Sequence, residues 1–237
     1  MVAAMPVSYK KKKDIVYNLI RSEIMNGLLA MGEHLVISNL AARLEVSTIP
    51  VREALQRLEA EGLVTITAHV GAKVTVVRLE QVAEVLTILE ALQTIVWRYA
   101  CTHPLSPKDL AALEKRLHEM DGQTASPAIW SFSNEQFHEF LCEACGLTVT
   151  LHLMRLAHDQ WRRLHRQLLA DIFAKRLAAS QKDAWKLYHA LTARKPDEAE
   201  SLLRAHFEAD RQTYQKHIEA VEKAARKKSK SDADDWD

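Results

Sequence analysis

The sequence predicts a mainly α-helical protein in two domains: a small N-terminal domain ending in a β-hairpin, and a larger all-α helical bundle of about six helices. Three observations carry this. Six glycines and six prolines are few for 237 residues, and apolar residues recur mostly every three or four positions, the helical period. VTITAHVGAKVTV, residues 64–76, alternates strictly between apolar and polar and marks two strands. With 48% hydrophobic residues, the chain can close one large core or two modest ones, and two is the better match.

Residues 9–26 set Ile15, Leu19, Ile20 and Ile24 on one stripe of a first helix that stops at Gly27. Ser38 precedes NLAARL and suits an N-cap, so a short second helix turns Leu40, Ala41 and Leu44 toward a core. Val46 and Ser47 form the turn. A third helix starts near Ser47 or Thr48, with Pro50 in its first turn, where the absent N–H has no intrahelical partner to lose. Its buried face is Val51, Ala54, Leu55 and Leu58, its outward flank Arg52, Gln56 and Glu59, and Gly62 closes it.

In the hairpin Val64, Ile66 and Ala68 share one face and Thr65, Thr67 and His69 the other, with the turn at Val70–Gly71. Three helices and a hairpin make a winged helix-turn-helix domain, residues 9–78. Helices follow at 81–102, 106–120 (capped by Ser106, with Pro107 first), 128–145, 148–177, 180–194 and 197–225. These six make the bundle of a second domain, 81–225. The charged segment 226–237 predicts a disordered tail. The link near Arg78–Glu80 lacks Gly and Pro and predicts coupled domains.

Lys and Arg number 32 against 31 Asp and Glu, so attraction to a polyanion must come from a local patch. Residues 1–78 carry ten basic and seven acidic side chains, net +3, and the remainder 22 and 24, net −2. MVAAMPVSYKKKK lacks the apolar core of a signal peptide, and no run approaches the roughly 20 apolar residues of a membrane span. Three cysteines give no disulfide framework and suit a reducing compartment. A cytoplasmic protein with no membrane partner is expected.

The residue that calls for explanation is Arg52. In a helix-turn-helix the N-terminal residues of the second helix of the motif face base edges in the major groove, and nearby hydroxyls and amides hold phosphates. Arg52 supplies a fork that bonds guanine bidentately, with Gln56 on the same flank. Ser47 and Thr48 suit phosphates. His69, Gly71 and Lys73 at the hairpin tip reach the minor groove or backbone. Arg43 and Lys10–Lys13 add sequence-independent attraction, although Lys10–Lys13 equally reads as a solvated arm. As a lone helix, VREALQRLEAEGL is an ordinary amphipathic segment. Cap, turn, proline, arginine and wing in one order favour double-stranded DNA as the partner.

GLLAMGEHL, ISNLAARLEVS, IPVREALQRLEAEGLV and HVGAKVTV, in that order, resemble the DNA-binding domain of the GntR family of bacterial transcription regulators. The helical remainder resembles the FCD effector domain of the FadR subfamily, and the likeness spans about Tyr9 to Tyr214. It implies a DNA-binding regulator, expected to be a repressor, that binds a pseudo-palindromic operator as a homodimer and responds to a small-molecule effector. The family usually has arginine directly after the turn serine, where this chain has Thr48, so one base contact is missing or replaced.

The resemblance also implies a divalent metal held by an Asp and a His four residues apart and by two later histidines. Here those positions are Asn134, His138, Ala184 and His206. Two strong ligands of four remain, so no cofactor and no tightly bound metal is expected. The effector pocket is expected at Asn134, His138, Trp161, Ala184, Tyr188 and His206. Relatives place an arginine four residues before the glutamate of the domain's first helix, near carboxylate effectors; Leu86 stands there ahead of Glu90. With Trp130, Trp161, Trp185 and Tyr188 available, an effector less acidic or more apolar than a small organic acid is expected. A soft-metal or redox site remains open from His138, Cys142 and Cys145, on one helix face, with His206, or from His138 and His206 with Asn134 or Cys142; packing of small residues is the plainer account of CEAC.

The competing function is a metal- or small-molecule-dependent enzyme on the bundle with an accessory winged helix. No nucleophile–base pair or phosphate-binding glycine loop supports it, and a non-enzyme is expected.

Overall fold

The computed structural model describes residues 9–67, 71–76 and 78–234. The chain divides into two compact units, Met1–Val77 and Arg78–Asp237.

In the first unit, α1 (Tyr9–Met25), α2 (Ile37–Arg43) and α3 (Thr48–Ala60) surround a core completed by three strands, β1 (His34–Leu35), β2 (Val64–Thr67) and β3 (Gly71–Val74). Ile20, Ile24, Val51, Leu55, Leu58 and Leu63 are 0–1% exposed. That places α3 firmly against α1 by apolar burial, the dominant stabilising term. Val36, not Ser38, occupies the N-cap of α2. The Leu40 N–H donates to Val36 O at 3.0 Å and closes the first turn.

The turn between α2 and α3 centres on Glu45, whose φ of 53° is left-handed. Its N–H donates to Ala42 O and that of Val46 to Ala41 O, at 3.3 and 3.0 Å. This is the helix C-terminal capping geometry that usually selects glycine. It fixes how α3 leaves α2.

The hairpin pairs β2 with β3 in the register Val64↔Val74 and Thr67↔Gly71. A third strand, β1, joins the far side of β3 with His34 opposite Lys73, giving the order β1-β3-β2. Two residues are too few to show a period, so the sequence carried no sign of it. Ala68, His69 and Val70 lie outside the described residues.

The second unit holds α4 (Gln81–Thr102), α5 (Pro107–Asp121), α6 (Pro127–Ala144), α7 (Thr148–Leu164), α8 (Ala170–Thr192) and α9 (Pro196–Asp234). Ser106 caps α5 by accepting from Asp109 N at 3.1 Å, with Pro107 in the first turn. α4 packs along α9, α7 and α8. Leu86, Val96, Trp97, Leu113, Phe137 and Leu203 are 0–1% exposed at the centre.

Two expectations are corrected here. The helix expected over 148–177 instead ends at Leu164 in a π-helical turn, His165–Leu169, and α8 then runs unbroken through residues 178–179. Ala178, Ala179 and Ser180 offer no Gly or Pro to stop a helix, whereas a π turn has no sequence signature. α9 runs on to Asp234, over most of the segment 226–237 expected as a disordered tail; Arg226, Lys227, Lys228 and Lys230 are good helix formers, the serines and aspartates beside them poor ones.

His165 enters the interior at the π turn, with its ring 4.1 Å from that of Phe173 and 6.0 Å from that of Trp161. Burial pulls its pKa down to about 4. The unfolded chain therefore takes a proton near pH 6.5 that the folded chain refuses until about pH 4, and stability declines as pH falls through that window. Replacing His165 with phenylalanine should shrink the stability difference between pH 7 and pH 5 by about 2 kcal/mol in denaturant titrations. An unchanged difference would show that this imidazole is not sealed from water.

Candidate functional site

The α3 N-terminus is the candidate nucleic-acid interface. Ser47 sits at the N-cap in an extended conformation but makes no side-chain cap bond, so its hydroxyl and the first amides of α3 are open to an anion. Arg52, Gln56, Ser47 and Thr48 are exposed, and among the described residues none has a side-chain hydrogen bond or ion pair. The acids of α3 are drawn off elsewhere. Glu53 lies 3.4 Å from Lys13, and Glu59 accepts from Ile66 N at 2.9 Å. Arg57 spans Asp14 and Glu61 and covers the Tyr17 ring at 3.6 Å. Arg52 is thus left facing solvent with no carboxylate to quench it.

The other expected contacts divide. Arg43 is turned onto α1, its Nη2 donating to Glu23 at 2.6 Å. Lys13 belongs to α1 and pairs with Glu53, so this part of the basic run is helix, not a loose arm. Lys73 is exposed on β3, its stem passing Gly32. Gly71 opens β3 at φ 111°, with nothing within 4 Å of the position a Cβ would take. His69 lies outside the described residues.

In the second unit five helices converge on a cavity of about 50 Å³ walled by Trp130, Trp161 and Phe173. Gln93, Ser131 and Ser180, each 6% exposed, line it together with Asn134. Among the described residues none of these four has a side-chain hydrogen bond. Glu135, His158, His206 and Asp210 complete the polar wall. Each of these groups already has a partner: Arg162 donates to Glu135, Arg176 to Asp210 at 2.7 Å, His158 Nδ1 lies 3.0 Å from Glu139 and His206 Nδ1 3.2 Å from Asp183.

Of the six residues expected in the pocket, Asn134, Trp161 and His206 line this cavity. His138 is buried behind it, where its Nδ1 accepts from Trp97 Nε1 at 3.2 Å. Ala184 is buried off the cavity wall. Tyr188 packs beside Trp185, which donates to Asp121 at 3.1 Å, so both aromatics serve the α5–α8 side rather than the pocket. Glu135 and His158 escaped the sequence reading. His158 falls three residues before Trp161, on one helical face with it, and that spacing was the available signal.

A wider cleft of about 440 Å³ opens between the start of α4 and α9, sharing Leu86 with the inner cavity. Its Arg211 is held by Glu90 at 2.7 Å and Glu208 at 3.3 Å. Tyr214 lines it too, and Tyr214 Oη and the nearby Arg176 Nη2 are buried donors with no hydrogen-bond partner among the described residues.

The chain matches the model of the gntR family of bacterial regulatory proteins over residues 12–74 and that of the FCD domain over residues 84–209. It belongs to the GntR family, with an FCD domain. A curated HTH-type transcriptional regulator, BphR of Paraburkholderia xenovorans, is 28% identical over 222 residues, 87% of each chain. The HTH-type transcriptional repressor RspR of Escherichia coli is 28% identical over 130 residues, 54% of this chain and 57% of its own length. The solved structure of E. coli McbR/YncC superposes with a TM-score of 0.67 at 23% identity, covering 89% of this chain and 99% of that one, which is a likeness of fold. The protein is a GntR-type DNA-binding transcription regulator.

The metal that the FCD family resemblance implies does not fit these residues. Ala184 has no donor atom and Asn134 is an uncharged amide. An indole only donates, so His138 Nδ1 is the acceptor, and its proton sits on Nε2, blocking the nitrogen a metal would need. Burial also holds the His138 pKa well below the usual histidine range. Both ring nitrogens of His206 face carboxylates, Asp183 at 3.2 Å and Asp210 at 3.5 Å. Asp183 is pushed up by burial, yet hydrogen bonds from His206 and Lys186 outweigh this and hold it at about 2.

The cysteine cluster is packing. Cys142 Sγ donates to Leu147 O at 3.3 Å, and burial pushes the thiols of Cys142 and Cys145 up to about 11, far from the thiolate a soft metal requires. Among the described residues no three His, Cys, Asp or Glu side chains are gathered to hold a metal ion, and no helix is long and apolar enough to cross a membrane.

Proposed function

We propose that this chain is a cytoplasmic, homodimeric repressor without enzymatic activity. It binds a two-fold operator and is released by an uncharged, oxygen-bearing effector in the helical domain. The observation that carries the DNA reading is Arg52, exposed and uncommitted at the start of α3 while Glu53 and Glu59 of the same helix are engaged elsewhere. The repressor sense follows the named relative RspR.

A dimer is supported by α4, which exposes Ile88 at 43%, Ile95 at 52% and Tyr99 at 36% in line with Ala91. α7, packed against α4, exposes Val149 at 74% and Leu153 at 46%. A contiguous apolar strip of this kind is typical of an interface, and two-fold pairing of subunits matches a two-fold operator.

The effector chemistry rests on what the cavity and cleft lack. Arg211, the arginine on the cleft wall, is matched by Glu90 and Glu208, so an acid would meet a cation already neutralised, and burying it would be costly. The unoccupied hydrogen-bonding capacity on their walls belongs to Gln93, Ser131, Asn134, Ser180 and Tyr214, which suits hydroxyl or carbonyl oxygens. Binding that favours one of two conformations then shifts operator affinity. In a thermal-shift screen of the full chain, polyols and neutral sugars should include a ligand that raises Tm by about 5–10 °C near 100-fold its Kd. Stabilisation by small carboxylates alone would contradict the assignment.

A further inference from the structure

Beside Arg52 stands a residue that neither the core nor the solvent explains. Ile49, in the first turn of α3, is 57% exposed. At 100° per residue it points roughly opposite the mean direction of Val51, Ala54, Leu55 and Leu58, which are 0–1% exposed. On the same arc lie Arg52 and Gln56, at i+3 and i+7. All the other exposed side chains at this end of the helix, Ser47, Thr48, Arg52 and Gln56, are polar. A β-branched residue in an exposed first turn gains nothing in helix propensity and leaves apolar area in water. Its burial must come from whatever this helix end docks against.

We propose that Ile49 is a specificity-determining residue that reads the C5-methyl group of a thymine in the major groove, next to the guanine contacted by Arg52. The inference rests on the DNA-binding reading of α3. The thymine methyl is the apolar feature that standard base pairs present in that groove, so an uncharged branched side chain has one partner there. The spacing fits as well. Three residues along a helix advance about 4.5 Å, close to the roughly 3.4 Å between base pairs. Ile49 and Arg52 therefore meet neighbouring pairs, and each half-site should hold a thymine beside the guanine.

Deoxyuridine in place of thymidine removes this methyl and leaves every hydrogen bond intact. Operators are first selected by the full-length protein from randomised duplexes, and each thymine is then replaced singly by deoxyuridine. The protein should lose about 3- to 10-fold in affinity at one thymine per half-site and little elsewhere, the worth of one methyl contact. Ile49→Ala should bind thymine and uracil duplexes equally well, and Ile49→Val should retain part of the discrimination. Three results would overturn the proposal: no uracil penalty at any position, an unchanged penalty in Ile49→Ala, or Ile49→Ala binding the thymine duplex as tightly as the parent. If the parent selects no sequence at all, the DNA reading itself has failed and this inference with it. A sequence bound selectively but without the methyl effect sinks only the role of Ile49.

Discussion

Replacing Arg52 with alanine should abolish specific operator binding while leaving folding and dimerisation intact. The guanidinium is exposed and, among the described residues, uncommitted, so its removal breaks no internal contact and stability should stay within about 0.5 kcal/mol. In the complex it would form a bidentate pair with guanine, worth about 1–3 kcal/mol of discrimination per half-site. Two half-sites in a dimer give a loss of roughly 2–6 kcal/mol, from tens-fold to beyond a thousand-fold. Arg52→Lys should restore salt-dependent attraction but not sequence preference, because a single ammonium cannot reproduce the fork. Titrations of selected and scrambled duplexes distinguish these outcomes; equal preference in parent and Arg52→Ala would remove Arg52 from the interface.

The largest effect on stability is expected at Arg162. Its guanidinium closes on the carboxylate of Glu135, which is only 2% exposed. Burial raises the Glu135 pKa above its ordinary value even though the Arg162 hydrogen bond and charge pull the other way. Arg162→Ala removes that opposition and strands a buried charge, at about 3–5 kcal/mol near neutral pH.

The pH sign follows from the direction of the shift. A carboxyl whose folded pKa is raised contributes most below its unfolded pKa of about 4.3 and loses that contribution as pH rises through the folded value. The penalty of Arg162→Ala should therefore be large at pH 7 and shrink toward pH 4, where Glu135 carries a proton in both states. Adding Glu135→Gln to Arg162→Ala should recover most of the loss, since an amide can be buried without charge. Denaturant titrations of the three proteins at both pH values check this, and a pH-independent penalty would mean Arg162 acts by packing alone.

What was legible in the sequence were features with a period or a cap. The third helix could be placed from Pro50, Gly62 and the Val51–Leu58 stripe, and α4 from its apolar repeat ending ahead of Pro104. Ser106 announced α5. What lacked a period stayed hidden: β1 is two residues long, and the His165–Leu169 π turn leaves no mark in composition. Side-chain partners were the other blind spot. Nothing near Arg43 in sequence points to Glu23, twenty residues away, and nothing near Trp185 points to Asp121. The pocket was half legible because helical spacing gives a face but not a neighbour. Asn134 and His206 could be placed by resemblance, whereas Glu135 and His158 reach the cavity wall through the packing of α6 against α7. Helical spacing alone sets Ile49 opposite the Val51–Leu58 stripe, and the structure adds that it stays 57% exposed.

Sequencing the duplexes that the full-length protein enriches from a random pool tests the central claim most directly. The account predicts an inverted repeat, its half-sites centred one helical turn or a multiple apart, with a guanine in each that ceases to be enriched when Arg52→Ala is used. Enrichment of no motif, or of the same motif by parent and Arg52→Ala, would contradict it.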